Sequence, residues 1–481
     1  MKNLLPKLFT TVLIATLLLP LVGMAFWSSD ETSEKRELAA FPTLMENGQF
    51  NAKILSELGN WFDDHFAFRS WLITAYADLE NGLFRESSIR NVLRGKEDWL
   101  FYQETLDNFT GLNRLSDRQI HNIVHNLQLI QYSITSQGSR FLVTIVPNKN
   151  TVYPEQMKDR YLETEDKDID RLMNALAQGG IPCVDLKTPL SNDERTLYFH
   201  KDSHWTNEGA LVAYNTLMDA MGIEHNDLST FTPTPMPTHE SDLDTMLNPE
   251  SATPEVDYDY NKAFSFQVDN EIVDFMDNWI ETSNPAGSGM LLMFRDSFGE
   301  ALAPFFANHF AKSYFSRLTP YNLIQIEALK PQWVIIERAE RRMSAFQEQA
   351  AIMKMPVVQN MTYTLADGVE EKEQALKETA QISQDATAKE SSIQTSSILN
   401  LRDAEGWMYI SGTIPNLSEN SEIYLETTWP NGQTYTYPVF YLEDGYGVYL
   451  MKDYLPKETI VKTLVKTGEE VLCLDVQTVL E

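Results

Sequence analysis

Cysteine is almost missing from this chain: 481 residues hold two, Cys183 and Cys473. They fall in stretches that read as different domains, so they build neither a disulfide framework nor the ligand spacing of a zinc site. Cys183 lies in the apolar run Ile181 to Leu186 and reads as a core residue. Cations are also scarce, with 38 Lys plus Arg against 69 Asp plus Glu and a formal net charge of −31. Such a balance argues against nucleic acid, whose phosphates would be repelled, and against adsorption to an anionic membrane surface. Any membrane contact must then be hydrophobic.

Residues 1–28 supply one. Lys2 and Lys7 precede an apolar run from Leu8 to Trp27, close to the roughly 20 residues that span a bilayer. Two readings stand: an uncleaved anchor, or a signal peptide processed near Gly23-Met24-Ala25. In both, the positive flank stays inside and everything beyond Trp27 is extracytoplasmic, membrane-anchored or secreted.

The remaining chain is long enough, and at 43% hydrophobic apolar enough, for two or three domains with real cores. Ser116 and Gln119 form a capping-box pattern ahead of a helix marked by Ile120, Ile123, Leu127, Ile130 and Ile134. His121 and His125, four apart on it, have metal-binding spacing without a third ligand, and read as a solvated helix face. The continuous run Phe141 to Val146 predicts a buried parallel strand, and the helix-then-strand pattern repeats through Ile169 to Leu186. Asn148 and Lys149 follow the first strand, where ligands gather in open α/β sheets. Residues 222–287, rich in Thr, Pro and Asp, read as an insertion bordering the site. The alternation resumes at Met290 and ends beyond the strand Trp333 to Ile336, where Glu337, Glu340 and Arg341 fall; Arg341 is placed to orient substrate or to brace the site. The domain reading is therefore 29–366 for an α/β domain with a mainly parallel sheet and helices on both faces, 367–395 for a linker, and 396–481 for a small all-β sandwich. Aromatics of that last unit, among them Trp407, Trp429, Tyr435, Tyr437, Tyr441, Tyr446 and Tyr449, are candidates for stacking on sugar rings.

The chemistry concentrates in two stretches. Leu197 to Ala210 packs Asp202, His204 and Trp205 into four positions. An imidazole moves protons near neutral pH, and a carboxylate beside it holds one tautomer and stabilises the imidazolium. Leu291 to Phe294 then leads through Arg295-Asp296-Ser297-Phe298-Gly299 into a helical pattern, which puts Ser297 on a strand-to-helix turn. There its backbone N–H can serve an oxyanion. Separately these motifs are weak: Asp-x-His pairs occur on surface loops, and Ser and Asp are ordinary helix caps. Their combination is what points to a nucleophile, its base and the base's orienter.

Asp202-Ser203-His204-Trp205, with Thr206 and Gly209-Ala210 after it, resembles the Asp-x-His-Trp box of the DHHW proteins, which are related to AlgJ- and AlgX-type alginate O-acetylation proteins. Arg36 to Pro42, Trp61 to Arg69, Gly95 to Tyr102, Pro147 to Pro154, Asp296 to Gly299 and Glu337 to Arg341 resemble further blocks of that family in the same order, over residues 34–345. The resemblance implies an SGNH-hydrolase-like domain with the Asp/His pair ahead of the serine. It also implies an extracytoplasmic O-acetyltransferase of a cell-surface or exported polysaccharide, working through an acetyl-serine. A carbohydrate acetyl esterase and a non-catalytic glycan-binding scaffold remain alternatives. The implied roles are Ser297 as nucleophile, His204 as base and Asp202 as orienter, with Asn148, Lys149, Trp205, Arg295 and Arg341 toward substrate and no metal or cofactor. A membrane-bound O-acyltransferase is the implied source of acetyl groups. Arg295 stands where related serine boxes commonly have glycine, which bears on the oxyanion arrangement.

Overall fold

The structure, a computed structural model, describes residues 91–366, 369–382 and 399–479 except 405, 415, 416 and 419, together with 39–68 except 47, 48 and 52, and a few isolated positions before residue 91. The N-terminal 1–28 segment therefore lies, but for isolated positions, outside the described residues, as does the linker from 383 onward. Among the described residues no helix is long and apolar enough to cross a membrane.

A seven-stranded sheet organises the larger part of the chain. Its strands are β1 (Arg140–Val146), β2 (Cys183–Asp185), β3 (Gln267–Val268), β4 (Trp279–Ser283), β5 (Met290–Phe294), β6 (Lys312–Ser316) and β7 (Trp333–Ala339), in spatial order β2-β1-β7-β5-β6-β4-β3. The first five in that order pair in parallel, and β4 and β3 extend the β6 edge antiparallel. Alternation along the strands loads both faces. Phe141, Val143, Leu292, Phe294, Val334 and Ile336 pack on one side against α1 (Asp117–Ser136) and α2 (Asp168–Gln178). Leu142, Val146, Leu291, Met293 and Ile335 pack on the other against α3 (Asn207–Met221) and α4 (Gly299–His309). The Ser116 capping box forms, with Gln119 N–H donating to Ser116 Oγ at 3.2 Å and Ser116 N–H to Gln119 Oε1 at 2.9 Å.

The 222–287 stretch is more than an interruption. Thr234–His239 pairs antiparallel with Glu255–Asp259, and the short helix Asp242–Leu247 lies between them. Its last strands are β3 and β4 of the main sheet, so only the earlier part stands outside that sheet. Pro235 and Pro237 are accommodated because they lie in a two-stranded ladder with open edges. A hairpin of Val92–Arg94 with Leu100–Tyr102 sits beside it. Its turn holds Glu97 and Asp98 at φ +47° and +64°, the left-handed conformation that suits a tight hairpin.

A helix at Val369–Ile382 follows the short strand Thr364–Leu365, which joins four later strands in a five-stranded sheet; this sheet and a four-stranded one share an apolar core, to which Ile423, Leu425 and Val461 contribute from the first and Ile410, Val448 and Leu450 from the second. This strand-rich unit docks on α1. Asn126 exchanges hydrogen bonds with the Tyr441 backbone at 2.8 and 2.7 Å, and the His125 ring lies flat on Tyr441 at 3.7 Å. The expected solvated face of α1 is thus corrected: a half-empty helix face offered the second unit its seat. Tyr441 and Tyr446 are likewise buried, which removes them as sugar-stacking candidates, whereas Trp407, Trp429, Tyr435, Tyr437 and Tyr449 line a cavity of about 280 Å³.

Candidate active site

Three segments converge at the carboxyl ends of the parallel strands. β5 ends at Phe294 and α4 begins at Gly299, so Ser297 sits on the turn between them. The turn is pinned by Asp296, whose Oδ1 accepts from Phe298 N–H at 3.0 Å and whose Oδ2 accepts from Ala339 N–H, at the end of β7, at 2.7 Å. Asp296 N–H in turn donates to Glu337 Oε2 at 3.0 Å. Burial, then the adjacent Asp296 carboxylate, pushes the Glu337 carboxyl well above its ordinary range. For Asp296, burial works against ionisation, but the Arg341 charge and the Ala339 N–H outweigh it and hold the group low. One carboxyl of this pair is therefore neutral and the other ionised.

The second segment carries the base. His204 Nδ1 lies 2.8 Å from Asp202 Oδ1, and His204 Nε2 lies 2.8 Å from Ser297 Oγ. An ionised carboxylate only accepts, so Nδ1 carries the proton and Nε2 is left to accept from the serine hydroxyl. The same Oδ1 takes the His204 backbone N–H at 2.9 Å. Oδ2 takes Asp242 N–H at 2.8 Å and faces His239 Nε2 at 3.2 Å. Burial would raise the Asp202 carboxyl, yet the hydrogen bonds and charge of the two histidines hold it well below the carboxylate range. Burial would likewise lower His204, but the Asp202 hydrogen bond and charge, with a contribution from Asp242, raise it instead.

The loop that presents this pair is held from below by Lys149. Its Nζ donates to the carbonyls of Phe199 and His200 at 3.0 Å each and of Asp202 at 2.6 Å. Lys149 is 3% exposed, and burial lowers its pKa to about 8. Trp205, also buried, donates from Nε1 to the Phe298 carbonyl at 3.1 Å and so ties the base's loop to the serine's turn.

The structure brings Asp202, His204 and Ser297 together and separates the remaining expected residues by role. Four of them are buried and hydrogen-bonded within the protein, Arg295 leaving only its Nε without a partner among the described residues. Lys149 and Trp205 brace loops as described. Asn148 donates its N–H to Glu340 Oε2 at 2.8 Å and accepts Arg341 N–H at 3.3 Å. Arg295 is fully buried and donates to the carbonyls of Phe275, Asp277 and Asp296, locking the approach to β4 against the serine turn. Its stem also fills the space a side chain at Gly299 would need, which explains that glycine.

Arg341 is the exception. It is half-buried, its guanidinium lies 5.2 Å from the Phe298 ring and 5.7 Å from the Tyr102 ring, and it makes no ion pair or side-chain hydrogen bond among the described residues. The Ser297 backbone N–H is also without a partner among the described residues. Residues that sequence reasoning passed over are Ser203, His239 and Asp242. Ser203 Oγ donates to Asp242 Oδ2 at 2.6 Å, and the His239 ring stacks on Phe199 at 3.8 Å. His239 and Asp242 stand in the Thr- and Pro-rich stretch, whose reading as an insertion bordering the site is the one sequence signal for them. Asp202, His204 and Asp242 also place ligand-type atoms near one another, but the His204 nitrogens already serve Asp202 and Ser297.

Residues 92–277 match the family described as the SGNH hydrolase-like domain of the acetyltransferase AlgX, a match that takes in Asp202 and His204 and ends before Ser297. A probable alginate O-acetylase AlgJ from Pseudomonas syringae pv. tomato is 30% identical over 188 residues, 38% of this chain and 46% of that protein. Its counterpart from Pseudomonas putida is 25% identical over 204 residues, 42% of this chain and 50% of that one. The chain thus spans about half the length of the curated relatives it matches. Among solved structures, a DHHW family protein from Eubacterium siraeum aligns with a TM-score of 0.39 at 16% identity, over 47% of this chain and 85% of that one.

Proposed function

The chain is a relative of the AlgJ- and AlgX-type proteins that carry an SGNH hydrolase-like domain, and on that footing we propose that it is an extracytoplasmic O-acetyltransferase acting on a polysaccharide. The observation that carries the reading is the run of hydrogen bonds from Ser297 Oγ through His204 to Asp202, 2.8 Å at each step. Ser297 Oγ attacks the carbonyl carbon of an acetyl ester or thioester while its proton passes to His204 Nε2. The oxyanion forms beside the unpartnered Ser297 N–H, with the Arg341 guanidinium as the nearest uncommitted cation charge. The leaving group takes the proton from Nε2 as the carbon–oxygen or carbon–sulfur bond breaks, leaving acetyl-Ser297. A sugar hydroxyl then gives its proton to Nε2 and attacks the acetyl carbon, and as the bond to Ser297 breaks its Oγ takes that proton back from Nε2. Water in that position makes the protein an esterase instead. The acetyl donor reaches the outer face from a membrane-bound O-acyltransferase, and residues 1–28 keep the enzyme beside it.

The test is to incubate the purified full-length protein with a chromogenic acetyl ester, with and without candidate oligosaccharides, and to look by mass spectrometry for acetyl on Ser297 and on sugar, with Ser297→Ala as control. Acetylated sugar that vanishes in the variant supports the transferase. Release to water alone, indifferent to sugar, makes it an esterase, and a folded protein that forms no acetyl-Ser297 from any donor tried is a glycan-binding scaffold.

A further inference from the structure

Next to the segments that carry Asp202 and Asp242 lies a cavity that the chemistry above does not use. It holds about 240 Å³, room for one pyranose residue with its hydroxyls, and polar side chains line it almost throughout. Its floor is a fixed network. Buried Asp244 accepts from Asn248 Nδ2 at 2.7 Å, from Thr253 N–H at 2.9 Å and from Lys201 Nζ at 3.4 Å, while Lys201 also donates to Thr253 Oγ1 at 2.6 Å. Its rim offers two groups without a partner among the described residues, the Ser251 hydroxyl and the Asp98 carboxylate on the hairpin turn. Arg94 completes the wall.

The cavity is built on the catalytic loops. Lys201 neighbours Asp202 in sequence, and Asp244 follows Asp242 by two, so two short segments present one residue to the base and another to the cavity. Asp244 N–H donates to Lys201 O at 3.1 Å and Asp242 N–H to Asp202 Oδ2 at 2.8 Å, which fixes the two faces relative to each other. The strand Leu100–Tyr102 links the cavity to the serine. Leu100 lines it, and Tyr102, two residues on and so on the same face about 7 Å away, meets Arg341, which covers Phe298 next to Ser297.

We propose that this cavity is an acceptor subsite for an uncharged, hydroxyl-rich sugar residue, one to two residues along the polymer from the hydroxyl that Ser297 acetylates. The inference rests on the transferase reading and specifies its acceptor. Two basic and two acidic side chains line the cavity, and one of each already pair across 3.4 Å. Such a wall has no surplus cation for a uronate carboxylate, and the −31 charge of the whole chain repels a polyanion further. What it does offer, fixed acceptors and donors facing a preformed space, suits neutral hydroxyls. Tyr102 adds an aromatic face for the next ring.

Binding is measured on the full-length Ser297→Ala protein, by calorimetry, with neutral hexasaccharides of β-1,4-linked glucose, mannose and N-acetylglucosamine and with hexamannuronate. At least one neutral hexasaccharide is expected to bind, tenfold or more tighter than hexamannuronate. Ser251→Trp, which fills the cavity, is expected to weaken it at least tenfold, and Asp98→Asn, a mild change on an exposed turn that guards against misfolding of the first variant, about threefold. Tighter binding of hexamannuronate, no binding of any neutral hexasaccharide, or binding that neither variant alters overturns the proposal. The two readings fail separately: binding without transfer by the wild type removes the activity and leaves the subsite, whereas acetyl-ester cleavage without hexasaccharide binding does the reverse.

Discussion

Replacing Asp202 with Asn removes one charge and keeps the shape, and the structure shows why that is severe. All four partners of the carboxylate are donors: His204 N–H at 2.9 Å and His204 Nδ1–H at 2.8 Å on Oδ1, Asp242 N–H at 2.8 Å and the His239 ring at 3.2 Å on Oδ2. An amide has one accepting oxygen, so one backbone N–H must face its NH₂ whichever way it turns. If the NH₂ faces Asp242, that N–H is orphaned, and the imidazolium formed during reaction loses its counter-charge. With the NH₂ toward His204, the backbone N–H is orphaned and the ring must accept at Nδ1, leaving a proton on Nε2 where the serine needs a base. An unsatisfied buried group costs about 1–3 kcal/mol, and loss of tautomer or counter-charge lowers kcat by roughly 10³–10⁴, equivalent to ~4–5.5 kcal/mol of barrier. The assay is initial-rate hydrolysis of a chromogenic acetyl ester by wild type, Asp202→Asn and Asp202→Ala, as a function of pH. In the wild type the rate should climb as His204 becomes neutral, with a midpoint above the ordinary value of about 6.5 because Asp202 raises it. Loss of the carboxylate should move that midpoint down in both variants. Asn should be no better than Ala. Retention of more than a tenth of the wild-type kcat by Asp202→Asn, or an unmoved midpoint, would refute the reasoning.

Lys149→Met removes three hydrogen bonds to the catalytic loop, each worth about 1.5–3 kcal/mol when the donor is charged, and relieves several kcal/mol of cation burial. The net should be ~2–4 kcal/mol of lost stability, faster hydrogen exchange across 199–204 and at least a tenfold lower kcat; unchanged exchange there would count against a bracing role. Because Glu337 is held neutral, its stabilising effect is full below about pH 4.3 and fades as pH rises through its raised value. Glu337→Gln, which keeps an acceptor for the Asp296 N–H, should stay within about 1 kcal/mol of wild type near neutral pH and lose that alkaline sensitivity in urea titrations. A larger loss would mean that Glu337 is ionised. Buried His125, lowered to about 4, must take up a proton between the ordinary value of about 6.5 and that figure if the strand-rich unit loosens, costing ~3 kcal/mol of stability as pH falls; His125→Gln should flatten the acid side of the melting profile.

How much of this could be read in the sequence depends on how far apart the cooperating residues stand. Asp202 and His204 are two apart on one loop, so their partnership was visible as a motif, and Ser297 was visible because an apolar strand and an amphipathic helix bracket it. The parallel core was legible for the same reason, since Phe141 to Val146, Met290 to Phe294 and Trp333 to Ile336 are continuous apolar runs. Burial of polar side chains was not. Lys149 and Asn148 read as rim residues, and Arg295 as a residue toward substrate, because a cation or amide after a strand normally faces water; only the assembled loops supply the backbone partners that make their burial affordable. The burial of His125 and Tyr441 is invisible in sequence for a related reason: they lie 316 positions apart and meet only when the second unit docks.

The same distance dependence explains how the site holds its charge. Two carboxyl pairs flank the reacting atoms, Asp202 with Asp242 and Asp296 with Glu337, and in each pair one member is held low and the other pushed up. The low member accepts backbone N–H groups from separate segments: His204 and Asp242 for Asp202, Phe298 and Ala339 for Asp296. An ionised carboxylate binds such donors about twice as strongly as a neutral one, so each works as a clasp between loops that the sequence leaves unconnected. Glu337, pushed well above its ordinary range, fills the space behind Asp296 without adding a second charge, while Asp242 accepts from Ser203 N–H and Ser203 Oγ at 2.8 and 2.6 Å. The anions beside Ser297 face two positive groups, the His204 ring, which is a cation only while it holds the serine's proton, and the Arg341 guanidinium. Charge is thus closest to balance when the proton rests on Nε2, the moment at which the tetrahedral oxyanion exists, and the clasps that hold the loops also favour that state.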